Sequence, residues 1–299
     1  MATLTVFTPL YNRINTLKRT YESLKRQTSK DFVWLIIDDG STDNPYEIIK
    51  EWIKINNGFE IRYVYKKNGG MHTAHNTAYE NIDTELNVCV DSDDYMPDNA
   101  VQLIIDCWNK NKNKGYAGII ALDFADSTKK VIGKELPTDK ESTTLMGYYN
   151  NGGFGDKKLI YRTDIIKQTP PYPVFDNEKY VALAYKYHLI DEKYELKILN
   201  ECVYYQMDGS STNMYRQYVR NPKGFAFWRK EQMKHSINTK QKIKACIHYV
   251  SSSLIAKNKH FIKESPEKFL TVLSVPLGFL LKIIVVKKSK SSYMKVEGI

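Results

Sequence analysis

Three carboxylates follow a short apolar run near the first third of the chain. The run covers residues 86–90 and is followed by Asp91, Ser92, Asp93 and Asp94. Like charges this close repel one another unless a cation lies among them, and hard oxygen ligands suit Mg²⁺ or Mn²⁺. The cluster therefore predicts a divalent-metal site, with a solvated turn as the alternative for such a run taken alone.

Two earlier segments have the same form, an apolar strand that stops at polar residues. Residues 8–12 read TPLYN and residues 38–43 read DDGSTD, and the loop at residues 68–70 reads NGG. In sheets flanked by helices, ligands bind beyond the carboxyl ends of the strands. The sequence therefore predicts that these loops form one site with the carboxylate cluster.

The elements that must position these loops alternate along the chain. Strands are predicted at residues 3–8, 31–38, 61–65, 86–90, 117–122, 158–161 and 196–205, and helices at residues 15–27, 44–55, 72–80, 100–111 and 178–188. Strand and helix in alternation indicate an α/β fold with a mostly parallel sheet covered on both faces.

Taken in this order and spacing, the motifs resemble family two glycosyltransferases of GT-A fold. Besides residues 8–12, 38–43 and 91–94, the resemblance includes NGG at 68–70 and HNTA at 75–78, and it covers about residues 3–210. It is strongest to bacterial enzymes that build capsule, lipopolysaccharide or wall polysaccharide. The resemblance implies a Rossmann-like sheet, an inverting hexosyltransferase activity, a nucleotide-diphosphate sugar donor, and Mn²⁺ or Mg²⁺.

The same resemblance implies roles for the loop residues. Asp93 would hold the metal with Asp94 beside it as an assisting ligand, while Asp91 would bond to the donor ribose or help to hold the metal. Asp39 would face a uracil ring, with Asp38 as its support or as a turn cap. The other residues of the implied nucleotide-sugar site are Thr8, Pro9, Tyr11, Asn68, Gly70, His75 and Ser92.

The sequence departs from the family pattern beside the glycines. Met71 and His75 stand where relatives commonly carry basic residues that contact the diphosphate. His72 or Lys157 would be the substitutes, with plain surface placement as the other interpretation of both.

An inverting transfer also requires a base that removes the proton of the attacking hydroxyl. In the family this acid lies near the start of a helix after a glycine-rich loop, and residues 175–180, FDNEKY, occupy that place here. Glu178 is the first choice for the base. Asp176 is the second, and it is also expected to cap the helix predicted from residue 178.

Charge and cysteine usage point to the compartment. The net charge of +10 is divided unevenly, with −4 over residues 1–210 and +14 over residues 211–299. The four cysteines are scattered, which predicts reduced thiols rather than disulfides or a zinc site. The first residues enter a strand pattern without the form of a secretory signal, so a cytoplasmic protein is expected.

The basic segment is predicted to be a helical tail after a catalytic domain of residues 1–210, whose nucleotide-sugar half is residues 1–98 and acceptor half residues 99–210. Within the tail, residues 269–286 are apolar but contain Pro276, Gly278 and Lys282. Their length and breaks favour a helix lying at the inner face of an anionic membrane over one spanning it. The alternative is packing onto protein, and a nucleic-acid partner is not expected.

The sequence thus predicts a metal-dependent glycosyltransferase with a UDP-sugar donor and a surface-glycan or lipid-linked acceptor. A sugar-phosphate nucleotidyltransferase and a noncatalytic nucleotide-sugar binding or scaffold protein are the alternatives. The donor sugar, acceptor, linkage and oligomeric state are left open, because they depend on pocket shape and on surfaces that these motifs do not determine.

Overall fold

A computed structural model describes residues 2–208, 213–235 and 238–294. The chain divides into two compact units, the first made of Met1–Asn68, Thr73–Pro171 and Lys186–Gly209, and the second of Gly69–His72, Tyr172–Tyr185 and Ser210–Ile299. The predicted boundary between residues 210 and 211 itself lies outside the described residues. Two short segments of the predicted catalytic domain thus belong to the second unit, together with the basic tail.

Within the described residues, eight strands form one sheet in the order β3-β2-β1-β4-β7-β5-β8-β6. The strands are β1 (Leu4–Leu10), β2 (Phe32–Asp38), β3 (Glu60–Tyr65), β4 (Leu86–Cys89), β5 (Gly118–Ala125), β6 (Ser142–Thr143), β7 (Lys157–Arg162) and β8 (Leu196–Gln206). β6 and β7 run against the other strands, so the sheet is mostly parallel, as predicted.

Helices cover this sheet and build the second unit. They are α1 (Ile14–Lys25), α2 (Tyr46–Lys54), α3 (Met71–Asn81), α4 (Ala100–Asn111), α5 (Leu145–Asn150), α6 (Thr163–Gln168), α7 (Ala184–Asp191), α8 (Met214–Arg220), α9 (Pro222–Lys234), α10 (Thr239–Ile255), α11 (Phe261–Glu264), α12 (Lys268–Leu273) and α13 (Val275–Met294), with a 3₁₀ turn at Lys112–Lys114.

The central strands are buried on both faces because helices pack on each side. Every residue of β1 and β2 is buried, which explains why these strands are apolar almost throughout. On one face Trp34 lies in a stack with Tyr21 of α1 and Trp52 of α2. This stack holds α1 and α2 against β2.

One predicted helix is wrong over half its length. Residues 178–188 were expected to be helical, but α7 begins only at Ala184. Residues 175–178 form a turn in which Glu178 N–H donates to Phe175 O at 3.1 Å, and Asn177 has a left-handed φ of 64°. Asp176 therefore does not cap a helix.

In the second unit α10 is the central helix, with α9 and α13 packed against it. Pro276 falls in the first turn of α13, where a missing N–H costs no intrahelical hydrogen bond. Among the helices that the structure describes, none combines the length and apolar character required to cross a membrane.

Candidate active site

The carboxyl ends of β2, β1 and β4 meet at one edge of the sheet because the three strands are parallel neighbours. Backbone hydrogen bonds continue past the strands: Asp39 N–H donates to Leu10 O at 2.8 Å, and Val90 N–H donates to Phe7 O at 2.9 Å. The structure therefore brings the loops at residues 8–12, 38–43 and 91–94 side by side.

The two acids that follow β2 have different surroundings. Asp38 is 1% exposed, and its carboxylate accepts from Ser41 N–H at 2.8 Å and from Tyr63 O–H at 2.5 Å. Asp39 forms an ion pair with Lys66 and accepts from Asn68 Nδ2 at 3.1 Å. Asp38 thus shapes the loop, whereas Asp39 lies among the hydrogen-bond donors of two side chains.

The loop after β1 is tied to the same turn. Asn12, with a left-handed φ of 51°, receives a hydrogen bond at Oδ1 from Thr42 N–H at 2.7 Å, and its own N–H donates to Ser41 Oγ at 3.1 Å. Tyr11 projects from this loop and is 47% exposed. Its ring is free to stack on a flat ligand.

Two predicted pocket residues of β1 lie elsewhere. Thr8 is fully buried and its hydroxyl accepts from Trp34 Nε1 at 2.9 Å, because the alternation of the strand turns that side chain into the core. Pro9 is also buried, in register with Ile37 of β2. The prediction that their side chains line a nucleotide pocket is therefore corrected.

The carboxylate loop after β4 is anchored by β8. Tyr204 O–H lies 2.5 Å from Asp94 Oδ2 and 3.3 Å from Asp91 Oδ2, and it accepts from Asp91 N–H at 3.3 Å. Met207 N–H donates to the other oxygen of Asp94 at 2.8 Å. Both oxygens of Asp94 are thus used by the fold, so Asp94 positions the loop and does not fit the predicted role of a metal ligand.

Asp94 is buried, whereas Asp91 is partly exposed, and so is Asp93. The side chain of Asp93 is 24% exposed and forms an ion pair with Arg13, which is 40% exposed. Ser92, in contrast, is buried. Asp93 can therefore exchange partners at low cost, since exposed ion pairs contribute at most about 1 kcal/mol.

The residues fit a metal that arrives with a phosphate-bearing ligand. In the described part of the chain, no group of three or more His, Cys, Asp or Glu side chains could hold an ion alone. Mg²⁺ is usually bound by one or two carboxylates together with substrate phosphates, rather than by a cage of protein ligands. Asp93, with Asp91 beside it in the loop, supplies such a partial donor set.

Burial sets the electrostatics beneath the loop. It raises the pKa of Asp94 and raises the pKa of Tyr204 well above the ordinary phenol value. It also raises the pKa of Asp123 on β5 to about 7, and Asp123 Oδ1 is buried without a hydrogen-bond partner among the described residues. Lys158 lies nearby, with its ammonium 3.0 Å from the centre of the Tyr204 ring.

Three further side chains are buried, contrary to expectation. His75 is 1% exposed and lies edge-on to Phe7, with its Nδ1 3.2 Å from Tyr79 O–H, so it packs a helix on the sheet instead of facing a donor. Surface placement of His72 and Lys157 is also wrong, because they are 1% and 7% exposed.

Gly70 and Glu178 belong to the second unit, where each makes a structural contact. A Cβ on Gly70, whose φ is +92°, would lie 2.1 Å from Lys179 O, so the close approach there is made by the chain's own backbone. Glu178 is 8% exposed and accepts from Lys223 N–H and Gly224 N–H, each at 2.9 Å. These amides begin α9, where a carboxylate is stabilising.

Asp176 differs from Glu178 because it is exposed at the turn. The turn is fixed from below, since Lys179 N–H donates to Asn221 Oδ1 at 2.7 Å and a Cβ on Gly224 would lie 1.9 Å from Tyr180 O. Of the two candidate bases, Asp176 is therefore the one with a solvent-facing carboxylate on a rigid support.

Three residues of the site were not predicted. Arg13 directly follows the TPLYN motif and could have been found as a cation beside an acidic site. Lys66 precedes the NGG loop and gave a similar signal. Tyr204 gave none, because it lies 110 residues from Asp94 along the chain.

Known proteins resemble this chain in sequence. A family profile described as Glycosyl transferase family 2 matches residues 5–169, more than half of the chain. The glycosyltransferase GlyA of Streptococcus pneumoniae is 34% identical over 101 residues, which cover 34% of this chain and 14% of GlyA. A chondroitin synthase of Escherichia coli is 33% identical over 156 residues, which cover 52% of this chain and 20% of the synthase. The match thus spans a fifth or less of these relatives.

The fold is also found among solved structures. The crystal structure of residues 1–349 of S. aureus TarS in complex with UDP-GlcNAc matches with a TM-score of 0.60 at 15% identity, covering 98% of this chain and 92% of that one. This likeness concerns the fold, and it confirms the predicted GT-A class.

Proposed function

The chain belongs to glycosyl transferase family 2, and from that premise we propose that it is an inverting glycosyltransferase that moves a sugar from a UDP-sugar to an acceptor of a bacterial capsule, lipopolysaccharide or wall glycan. The observation that carries the proposal is the pair of acid-rich loops at neighbouring strand ends. In each loop one carboxylate is fixed by the fold and another is presented with cations beside it. The polysaccharide synthase among the relatives supports a glycan acceptor.

The surroundings of Asp39 support uracil as the base of the donor nucleotide. Uracil presents one N–H donor between its two carbonyl groups, and a carboxylate can accept that N–H. Here Asp39 would accept the N–H, and Lys66 and the Asn68 amide hold its carboxylate in position.

The diphosphate would lie at the carboxylate loop. Asp93 and Asp91 would hold Mn²⁺ or Mg²⁺ there, and such an ion neutralises the charge that develops on a departing nucleotide. Arg13 keeps Asp93 in place and adds a cation beside the phosphates. Asp94 and Tyr204 keep the loop rigid from below, which preserves the position of Asp93.

We assign proton removal from the acceptor hydroxyl to Asp176. A general base needs an accessible lone pair, and Asp176 is exposed whereas both oxygens of Glu178 accept backbone N–H groups of α9. Glu178 would act as a positioning residue that holds the turn against α9. The first choice made from sequence is thereby replaced by the second.

We further propose that the enzyme works on the cytoplasmic side of the cell membrane, as a peripheral protein. The net charge of +14 over residues 211–299 supports this location, because anionic lipid attracts clusters of lysine and arginine. Glycan acceptors that are linked to lipid lie at the same surface.

The test is donor turnover by the purified chain. UDP-sugars and GDP-sugars are incubated with Mn²⁺, Mg²⁺ or chelator, with and without glycan acceptors, and the released nucleotide is measured. Release of UDP that requires both acceptor and metal supports the proposal. Formation of pyrophosphate would identify a nucleotidyltransferase instead, and binding of UDP-sugar without turnover on any acceptor would favour a noncatalytic binder.

A further inference from the structure

Helices α12 and α13 carry a continuous set of large apolar side chains that face solvent. Eight of them are between 41% and 74% exposed. We refer to this set as the apolar face; it consists of Phe269, Val272, Leu273, Leu277, Phe279, Leu280, Ile283 and Ile284. Exposed apolar patches of this extent mark sites of contact with protein, ligand or membrane.

The opposite side of α13 packs on α10 and α8, where Val285 is buried against Tyr218 and Phe225 and Leu281 packs beside it. Gly278 lies so close that a Cβ there would be 2.5 Å from Val250 Cβ, and Ser274 and Ser289 are buried on the same side. A helix of a water-soluble protein normally turns its large apolar side inward. Here α13 makes its closest approach at Gly278 and leaves Leu277, Phe279, Leu280, Ile283 and Ile284 facing outward. Close packing at a small residue combined with an outward apolar side is found where helices pack in lipid.

Lysines continue the same face at the end of α13. Lys287 is seven residues after Leu280, and Lys290 is seven residues after Ile283, so each lies on the exposed side two turns further on, and both are exposed. An apolar stripe that leads into lysines can place its apolar part among acyl chains and its ammonium groups at phosphate headgroups. The lysines thus select an anionic lipid surface as the occupant.

We propose that the apolar face is the membrane-docking surface of the protein, with α13 lying in the plane of an anionic lipid surface and Lys287 and Lys290 on headgroup phosphates. The apolar part of α13, residues 275–286, extends only about 18 Å at 1.5 Å per residue, which is shorter than the ~30 Å hydrocarbon core. The inference rests on the membrane location proposed above and names the surface that provides it.

The experiment measures binding of the full chain to sedimented vesicles, without donor or acceptor. Vesicles of phosphatidylcholine alone are compared with vesicles that also contain phosphatidylglycerol. We expect at least ~10-fold stronger binding to the anionic vesicles, weakened by salt. Because no turnover is measured, loss of lipid binding and loss of glycosyl transfer are separate outcomes.

Leu280→Gln with Ile283→Gln tests the face, since glutamine keeps helix propensity and both positions are about half exposed. We expect lipid binding to fall at least ~10-fold with an unchanged melting temperature. Ile243→Gln with Ile262→Gln, at exposed positions on α10 and α11, is the matched control and should bind like wild type.

Two results would overturn the inference. One is equal binding by the Leu280/Ile283 variant and wild type. The other is a wild-type dimer that becomes monomeric in that variant and binds no vesicles, which would make the apolar face an interface between two copies. Lys287→Gln with Lys290→Gln should abolish the preference for phosphatidylglycerol while retaining weak binding to neutral vesicles, and an unchanged preference would contradict the role of these lysines.

Discussion

The loops after β2 and β4 each contain two neighbouring acids in the same arrangement, but the loops differ in how exposed these acids are. In each, one acid is buried and bonded to a backbone N–H and a tyrosine hydroxyl: Asp38 to Ser41 and Tyr63, and Asp94 to Met207 and Tyr204. The neighbouring acid, Asp39 or Asp93, is paired with a basic side chain instead.

The difference lies in how open the presented acid is. Asp39 is 4% exposed and held by two side chains, whereas the side chain of Asp93 is 24% exposed and pairs with a half-exposed arginine. A closed, fixed acid suits recognition of the edge of a base, and an open acid suits a metal that enters and leaves with the diphosphate. The turn at residues 175–178 repeats this arrangement, with Glu178 fixed and Asp176 exposed.

The comparison is tested most strongly at Asp93. Asp93→Ala should lower kcat for UDP release by at least about 100-fold, as expected on losing a group that stabilises developing charge. The melting temperature should barely change, because the pair with Arg13 is exposed. Asp98→Ala, which removes another exposed acid paired with an arginine, is the control and should leave kcat unchanged. Similar rates for both variants would contradict the assignment of Asp93.

The turn at residues 175–178 gives the next largest effect. Asp176→Asn should reduce kcat about 100-fold, within the range that a general base contributes, without loss of stability. Glu178→Gln should keep kcat within about fivefold but lower the melting temperature, because a charged acceptor is lost from the start of α9. The reverse pattern in steady-state rates and thermal unfolding would return the base to Glu178.

The arrangement of paired acids could be predicted only in part from sequence. Apolar runs ending in acids revealed the strand ends, because the periodicity of a buried strand and the change to Asp are both local. Which acid is fixed depends on distant partners, such as Tyr204 on β8 for Asp94. For the same reason Thr8 and His75 were misplaced, since a motif does not show which side of an element faces the core.

The turn at residues 175–178 shows the same limit. Its residues were predicted to begin a helix, but Asn221 and the first amides of α9, more than 40 residues later, hold it as a turn. Tertiary contacts of this range override local propensity. The basic tail could be recognised from its charge, whereas the outward turn of its apolar side required the packing of Gly278 on α10.

A substitution beside Asp39, in the loop after β2, should change the choice between donors, and this effect should be smaller. Lys66→Met should raise KM for a UDP-sugar about 10-fold and narrow its advantage over the matching GDP-sugar, because the carboxylate of Asp39 loses the cation that holds it in place for the base. Lys67→Met, at the exposed neighbouring lysine, is the matched control. If both variants keep the wild-type ratio of kcat/KM for the two donors, Lys66 has no part in reading the base.

Removing the Tyr204 hydroxyl, which anchors the loop at residues 91–94, should have a milder effect. Tyr204→Phe leaves the buried carboxylate of Asp94 without its hydroxyl donor, which costs about 1–3 kcal/mol, and kcat should fall only about threefold because Asp93 itself remains. Denaturant unfolding and steady-state rates measure the two effects. Tyr205→Phe, at the next residue of β8, removes only a weak hydrogen bond with the Cys202 thiol and should cause a smaller loss of stability and no change in kcat. Equal losses in both variants would show that the anchor is not specific.

Asp123 is a buried acid whose Oδ1 has no hydrogen-bond partner among the described residues, unlike the buried acids of the two loops. Burial raises its pKa from 3.8 to about 7 in the folded protein. Between these values only the folded state holds the proton, so this group lowers stability as pH rises and the loss is complete above the folded pKa. Asp123→Asn removes that dependence: it should be more stable than wild type by about 4 kcal/mol near pH 8 and nearly equal to it near pH 4, with activity within about twofold.

Thermal unfolding of Asp123→Asn across pH therefore shows whether the ionised carboxylate of Asp123 destabilises or stabilises the folded protein. Asp126→Asn is the control of opposite sign, since hydrogen bonds from Lys129 and Tyr95 lower the pKa of Asp126 and its contribution to stability is lost as pH falls. If Asp123→Asn were instead less stable than wild type near pH 8, the nearby Lys158 would be stabilising an ionised Asp123. Asp123 would then be a further acid that the fold fixes. Lys158 would be a counter-ion shared by Asp123 and Asp94 beneath the carboxylate loop.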